Sequence, residues 1–286
     1  MQRWGEVSFV NVLEFTALVG VGALAAGFLG ALTGLGGGVV IVPLLVLLGV
    51  DLKYAIGASL VSVIATSSGA AASYVKEGYS NIRIGMFLEI ATTLGALTGA
   101  YLANIIPTQA LSIVFGIVLL ISAYLSLRTM PRQHGTEKPD PQAVWLRLDS
   151  AYPIPEGKQP YHVHRVPLGF GLMYVAGCLS GLLGIGSGAL KVLAMDQAMR
   201  IPFKVSTTTS NFMIGVTAAA SAGLYLHHGF IDPALTMPVM LGVLSGSLLG
   251  ARVLMGAQTR LLRRIFSVVI LAMAIQMIYK GITGKL

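Results

Sequence analysis

Residues Gly34-Leu-Gly-Gly-Gly38 recur as Gly184-Ile-Gly-Ser-Gly188, 150 positions further along, and apolar sequence surrounds both copies. The match continues past the glycines with a one-residue shift. Lys53, Ser59, Thr66, Tyr74, Gly78, Met86, Gly95, Gly99 and Ala100 meet the same residue types at Lys204, Ser210, Thr217, Tyr225, Gly229, Met237, Gly246, Gly250 and Ala251. A glycine-broken stretch repeated inside hydrophobic sequence is the pattern of membrane transporters built from two related halves. In such chains, interrupted segments at matching positions point to the substrate site.

The chain has 286 residues, 55% of them hydrophobic and 10% charged, with a mean hydropathy of +0.79. Soluble domains carry about 25% charged residues, so this composition predicts an all-α integral membrane protein with several spans. Period-two alternation, the sign of a membrane barrel, is not visible. Thirty-five glycines suit close helix contact in lipid, and the spacing Gly95/Gly99 and Gly246/Gly250 fits it. The net charge of +8 comes without a basic stripe interleaved with aromatics. It therefore predicts lipid headgroups and the cytoplasmic side of a membrane as its partners, not nucleic acid. Cys178 is the single cysteine, read as a buried structural thiol. The first apolar segment lacks a signal-peptide cleavage pattern, so the whole chain is expected to be mature.

Hydropathy divides residues 1–128 into apolar segments at about 8–33, 37–49, 54–76, 84–106 and 109–128. Residues 167–286 repeat the plan at about 167–184, 187–199, 204–228, 233–255 and 260–281. The second segment of each half is too short to span a bilayer alone, which leaves half-helix and re-entrant return arm both open. Residues 129–166 form a polar connector with Pro131, Pro139, Pro141, Pro153, Pro155 and Pro160, expected to be extended, with Trp145, Leu146 and Leu148 as candidates for a membrane-facing surface. Ten crossings would gather Arg128, Arg132, Lys138, Arg147, Lys158 and Arg165 on one side with the loops near Lys76/Arg83, Arg200/Lys204 and Arg252–Arg264. The positive-inside bias then predicts a cytoplasmic connector, external termini and two inverted repeats in the cytoplasmic (inner) membrane.

Four sets of residues carry the chemistry. Glycines at Gly36, Gly37, Gly38, Gly186 and Gly188, with Ser187, let the backbone turn and aim free N–H groups at an anion, helped by helices that begin just after them. Tight helix packing is the competing reading. Ser59, Ser62 and Thr66 share a helix face, matched by Ser206, Thr209, Ser210 and Thr217 with Asn211 beside them. Such hydroxyls and amides donate to oxyanions without the desolvation of a full charge, and also serve as ordinary interhelical links. Lys191, in an apolar run, either attracts an anion, pairs with Asp196, or snorkels to an interface. Glu89 reads as a proton site or as an interfacial or salt-bridged carboxylate, so Glu89 and Asp196 are the candidates for ion coupling. His162/His164 and His227/His228 lack ligand partners at metal spacing, and no catalytic triad or cofactor motif stands out.

These residues resemble the TauE/SafE family of sulfite exporters and 4-toluene sulfonate uptake permeases. The likeness rests on Gly30-Ala-Leu-Thr-Gly34-Leu-Gly-Gly-Gly38-Val-Val-Ile-Val-Pro43, on Gly181-Leu-Leu-Gly184-Ile-Gly-Ser-Gly188-Ala-Leu-Lys191, and on Lys204-Val-Ser-Thr-Thr-Thr-Ser210-Asn211-Phe-Met-Ile-Gly215-Val-Thr217. It implies a secondary carrier of small sulfur anions (sulfite, organosulfonates or thiosulfate) working by alternating access, with a proton or sodium ion for coupling. An anion channel, or a membrane protein assisting sulfur metabolism, is the rival. Ser187 and Leu193 depart from the glycine and proline expected there, which predicts an asymmetric site.

Overall fold

A computed structural model describes residues 12–33, 37–76, 80–127, 140–154, 157–254 and 259–284. It is all-α apart from one small hairpin. In chain order the elements are α1 (Val12–Thr33), α2 (Gly38–Leu47), α3 (Leu52–Lys76), α4 (Ile82–Ile105), α5 (Thr108–Leu127), α6 (Pro141–Trp145), β1 (Ser150–Ile154) and β2 (Gly157–Tyr161). There follow α7 (Val166–Leu183), α8 (Gly188–Leu193) prolonged by a π-helical turn at Ala194–Ala198, α9 (Phe203–His227), α10 (Pro233–Leu254) and α11 (Thr259–Thr283). Each predicted apolar segment coincides with one of the helices. Ile82–Ile105, Val166–Leu183 and Pro233–Gly250 are long and apolar enough to cross a membrane.

The outer surface is apolar where a soluble protein would be polar. On α4, Met86, Ile90, Leu94, Leu97, Tyr101 and Ile105 are exposed and step by three or four residues, so they form one stripe. On α11, Val268, Leu271, Ile275, Tyr279 and Ile282 do the same. Stripes of this length on several helices fit a hydrocarbon surrounding.

Inside, glycines decide which helices meet. Helices α4 and α7 run parallel: a Cβ on Gly95 or Gly99 would strike the carbonyls of Tyr174 and Cys178, and one on Gly177 or Gly181 those of Thr92 and Ala96. Helices α1 and α10 also run parallel, with Gly242 and Gly246 pressed on the carbonyls of Gly20 and Leu24, and Gly27 on that of Val243. Two other pairs run antiparallel. Gly57 of α3 meets the Phe230 carbonyl just beyond α9, while Gly215 of α9 meets the Ser67 hydroxyl. On α11, Gly281 meets the Gln109 carbonyl of α5, and Ser112 Oγ donates to the Met277 carbonyl at 2.8 Å.

Each short helix runs back along the helix that precedes it. Gly37 lies beside Gly27 and Leu44 beside Gly22, so α2 runs back along α1. The N–H of His164, before α7, donates to the carbonyl of Met199, beyond the π turn, at 3.0 Å, and Met199 packs on Gly169. The arm formed by α8 and the π turn thus returns to the foot of α7.

Over its described residues, 140–154 and 157–166, the connector is more ordered than its prolines suggested. Pro141 occupies the first turn of α6, where no N–H is needed, and Asp140 caps that helix by accepting from the Gln142 N–H at 3.0 Å. Pro153 and Pro160 sit in a two-stranded sheet, whose outer edges need no donor. Ala143, Leu148, Tyr161 and Val163 are buried against Ile84, Leu88, Met195 and Met199, whereas Trp145 stays exposed. Asn81 ties these parts together. Its side chain accepts from the Ile84 N–H at 3.1 Å and donates to Tyr161 Oη at 2.7 Å, and its own N–H donates to Thr209 Oγ1 at 3.0 Å.

Helix contact made through backbone carbonyls leaves no slack for a methyl group. Gly99→Ala should cost about 1–3 kcal/mol as an overpacked interface. Gly223→Ala, where a Cβ meets nothing within 4 Å, should be neutral or gain roughly 0.5–1 kcal/mol. Thermal unfolding midpoints of the two variants in detergent check the contrast.

Candidate functional site

Helix α7 ends at Leu183 because Gly184 takes a left-handed conformation (φ 68°), its N–H donating to the Ser180 carbonyl at 2.8 Å. Gly186 is left-handed as well (φ 71°), and so is Ser187 (φ 44°), after which α8 begins. A non-glycine residue in that region costs roughly 1–2 kcal/mol. The Ser187 hydroxyl is buried and has no hydrogen-bond partner. In the first half Gly36 lies outside the described residues, while Gly37 and Gly38 open α2.

The two glycine motifs touch. Ser59 Oγ donates to the Gly184 carbonyl at 2.8 Å. A Cβ on Gly38 would stand 2.7 Å from that hydroxyl, 2.9 Å from the Gly184 carbonyl and 2.9 Å from Val63. A Cβ on Gly186 would stand 2.9 Å from Ile214 of α9. Ser210 Oγ donates to the Gly188 carbonyl at 3.3 Å, and Asn211 beside it is buried. Thr66 is drawn less directly into the site. Its hydroxyl donates within its own helix to the Val63 carbonyl at 3.1 Å, as that of Ser62 does to Ser59 at 2.7 Å.

Lys191 is fully buried, so it does not snorkel. Its Nζ donates to Thr217 Oγ1 at 2.5 Å, and Thr217 Oγ1 donates to Glu89 Oε1 at 2.7 Å. The Thr217 hydroxyl also lies 2.9 Å from the Met213 carbonyl. With one proton to give and an ammonium donating to it, the hydroxyl is polarised toward the carboxylate. Thr93 Oγ1 donates to Glu89 Oε1 at 3.3 Å, but Glu89 Oε2 is buried without a partner. Helices α8, α9 and α4 are thus joined by an ammonium, a hydroxyl and a carboxylate.

The sequence singled out all three residues but not their chain. It offered Asp196 as the lysine's partner, whereas Lys191 donates to Thr217 and Asp196 stands half-buried on the π turn. Thr92 and Thr93 went unnoticed, although spacings of three and four residues from Glu89 put them on its face. Tyr225 was seen only as a repeat match, yet its hydroxyl donates to the carbonyls of Gly181 and Leu182 at 3.2 and 3.4 Å where α7 ends. Among the described residues no cluster of three or more His, Cys, Asp or Glu is placed to hold a metal, and His162 pairs instead with Asp149 at 2.9 Å.

Apolar outer stripes, interlocked helices, touching glycine motifs and a buried lysine–glutamate chain describe a helical membrane protein. The chain belongs to the sulfite exporter TauE/SafE family, whose model matches residues 18–277. It is 30% identical over 279 residues to the probable membrane transporter protein YunE of Bacillus subtilis, covering 94% of this chain and 99% of that one. It is 27% identical to a probable membrane transporter protein of Xylella fastidiosa, covering 95% and 98% of the two chains. The likeness extends to the archaeon Methanocaldococcus jannaschii, whose probable membrane transporter protein MJ0441 is 26% identical over 263 residues, 87% of this chain and 88% of that one. No solved structure matches.

Thr217→Val keeps the shape and removes the bridging hydroxyl, leaving an ammonium and a carboxylate less satisfied. Stability should fall by about 1–3 kcal/mol, and Thr217→Ser should restore most of it. Thermal unfolding of the purified variants reads both.

Proposed function

We propose that this transporter is a secondary carrier of a small sulfur oxyanion, binding it where the two glycine motifs meet and releasing it by alternating access. The observation that supports this most is the convergence of Gly38, Ser59 and Gly184 beside an arm that carries the buried Lys191. In this reading the backbone N–H groups at Gly36–Gly38 and Gly186–Gly188 face the anion. The hydroxyls of Ser59, Thr66, Ser187, Ser210 and Thr217 and the amide of Asn211 complete the shell. Lys191 supplies the positive charge. The positive ends of the helices that begin at Gly38 and Gly188 act in the same sense.

Alternating access follows from two halves related by inversion, and the packing supports such a relation. If α1–α5 correspond to α7–α11, the pairing of α1 with α10 is the counterpart of that of α4 with α7. A helix packed on its own counterpart, α3 on α9 or α5 on α11, runs antiparallel. A two-fold axis in the membrane plane requires that, and an axis along the membrane normal forbids it. Five legs per half then put residues 1–128 and 167–286 in opposite orientations. The connector of residues 129–166 falls on the cationic, cytoplasmic side of the inner membrane, and both termini fall outside.

Liposomes containing the purified protein should take up labelled sulfite saturably, with trans-stimulation, and thiosulfate or a sulfonate should compete where chloride does not. Lys191→Ala should cut uptake about tenfold or more, since 1.4 kcal/mol of lost anion binding already corresponds to tenfold. Non-saturable flux without exchange would replace the carrier by a channel. Normal uptake by a folded Gly186→Val protein would remove the glycine motifs from the site.

A further inference from the structure

Buried ion pairs are stable only when every donor and acceptor is satisfied, and the Lys191–Thr217–Glu89 chain is not. The ammonium has three N–H donors and the chain occupies one of them, through Thr217 Oγ1 at 2.5 Å. Glu89 is only 8% exposed, and its Oε2 has no partner. One turn before Lys191 stands the Ser187 hydroxyl, also buried and without a partner. Two unpartnered oxygens, one reached through Thr217 and one a turn away at the start of α8, therefore lie on either side of the ammonium.

We propose that Lys191 and Glu89 form an anion–proton exchange pair. The substrate's oxyanion takes the free donors of Lys191 only as Glu89 takes a proton on Oε2, so one proton travels with each monoanion. The inference rests on the anion site proposed above and adds the identity of the coupling ion and its carrier. Charge conservation in a low-dielectric interior gives the reason. Without substrate, the ammonium and the carboxylate cancel. An arriving monoanion makes the buried cluster net negative, and a proton on Glu89 restores neutrality. The protonated carboxyl keeps Oε1 as acceptor for Thr217 and Thr93, while its new O–H donates from the oxygen that lacked a partner.

Among the described residues, the surroundings leave Glu89 and Lys191 to each other. Helix α9 faces Glu89 with Thr217, and α4 itself with Thr92 and Thr93. Helix α7 brings Tyr174 and Cys178 alongside α4 at Gly95–Gly99, further on, with Tyr174 Oη donating to Thr98 Oγ1 at 3.1 Å. The connector meets α4 at its start, where Asn81 and Tyr161 bind each other and Arg83 donates to the Arg147 carbonyl at 3.3 Å. Asp196 belongs to the π turn beyond Lys191. The cation facing the carboxylate is Lys191.

The test uses a labelled alkanesulfonate, a strong acid that stays a monoanion across the working pH range, so that any pH effect belongs to the protein. Adding it to the purified wild-type protein in weakly buffered detergent should draw one proton from solution per anion bound. In liposomes, an inside-alkaline gradient should drive its accumulation. Glu89→Gln should abolish both the proton uptake and the accumulation, and its residual exchange should no longer vary with pH. Binding by the wild type without proton uptake overturns the exchange pair, and so does gradient-driven accumulation by Glu89→Gln at the wild-type level. Absence of counterflow for both the sulfonate and sulfite in the wild type overturns the anion site itself and the exchange pair with it. Intact counterflow with no proton effect removes the exchange pair alone.

Discussion

Helices surrounded by lipid gain little from burying apolar side chains, because the lipid is as apolar as they are. Close backbone approach is what remains to hold them, and it governs this molecule. Gly95, Gly99, Gly177 and Gly181 bring α4 and α7 within reach of each other's carbonyls, and Gly27, Gly242 and Gly246 do so for α1 and α10. Once those contacts are fixed, α3 and α9 lie packed on each other between the two pairs. The contact between Gly38 and Gly184 then follows from the outer packing.

Much of this was legible in the sequence. Hydropathy located the helices to within a few residues, because apolar length is set by bilayer thickness. The spacings Gly95/Gly99 and Gly246/Gly250 announced close packing, found at Gly95, Gly99 and Gly246, but the partner helices were invisible, since a glycine records closeness and not what comes close. Over its described residues the connector is not the extended chain that its prolines predict. Pro141 lies at a helix start and Pro153 and Pro160 on sheet edges, positions that tolerate them, and the buried residues Ala143, Leu148 and Val163 are few and scattered. The chain from Lys191 to Glu89 was unreadable for another reason. Its members are separated in sequence by 26 and 128 residues, and no local period links them.

The motif copies are also less alike in structure than in letters. Lys191 stands where the first half has Ile41, and the second arm ends in a π turn where α2 ends as a regular helix. Lys280 and Gln276 donate to the carbonyls of Val46 and Pro43 on α2, a clamp on the first arm alone among the described arms. The two arms thus differ in character, the first clamped and uncharged, the second carrying Lys191 and left-handed at Ser187.

The cross-pairing of α1 with α10 also bears on how the protein is made. A ribosome adding about 5–20 residues per second needs roughly 10–40 s to go from α1 to α10. Throughout that interval the glycine face of α1 sits in the membrane with its partner still unwritten. Helix α4 waits less long for α7. The first half therefore cannot complete its packing before the second is made, and the first helix synthesised gains its α10 contact among the last.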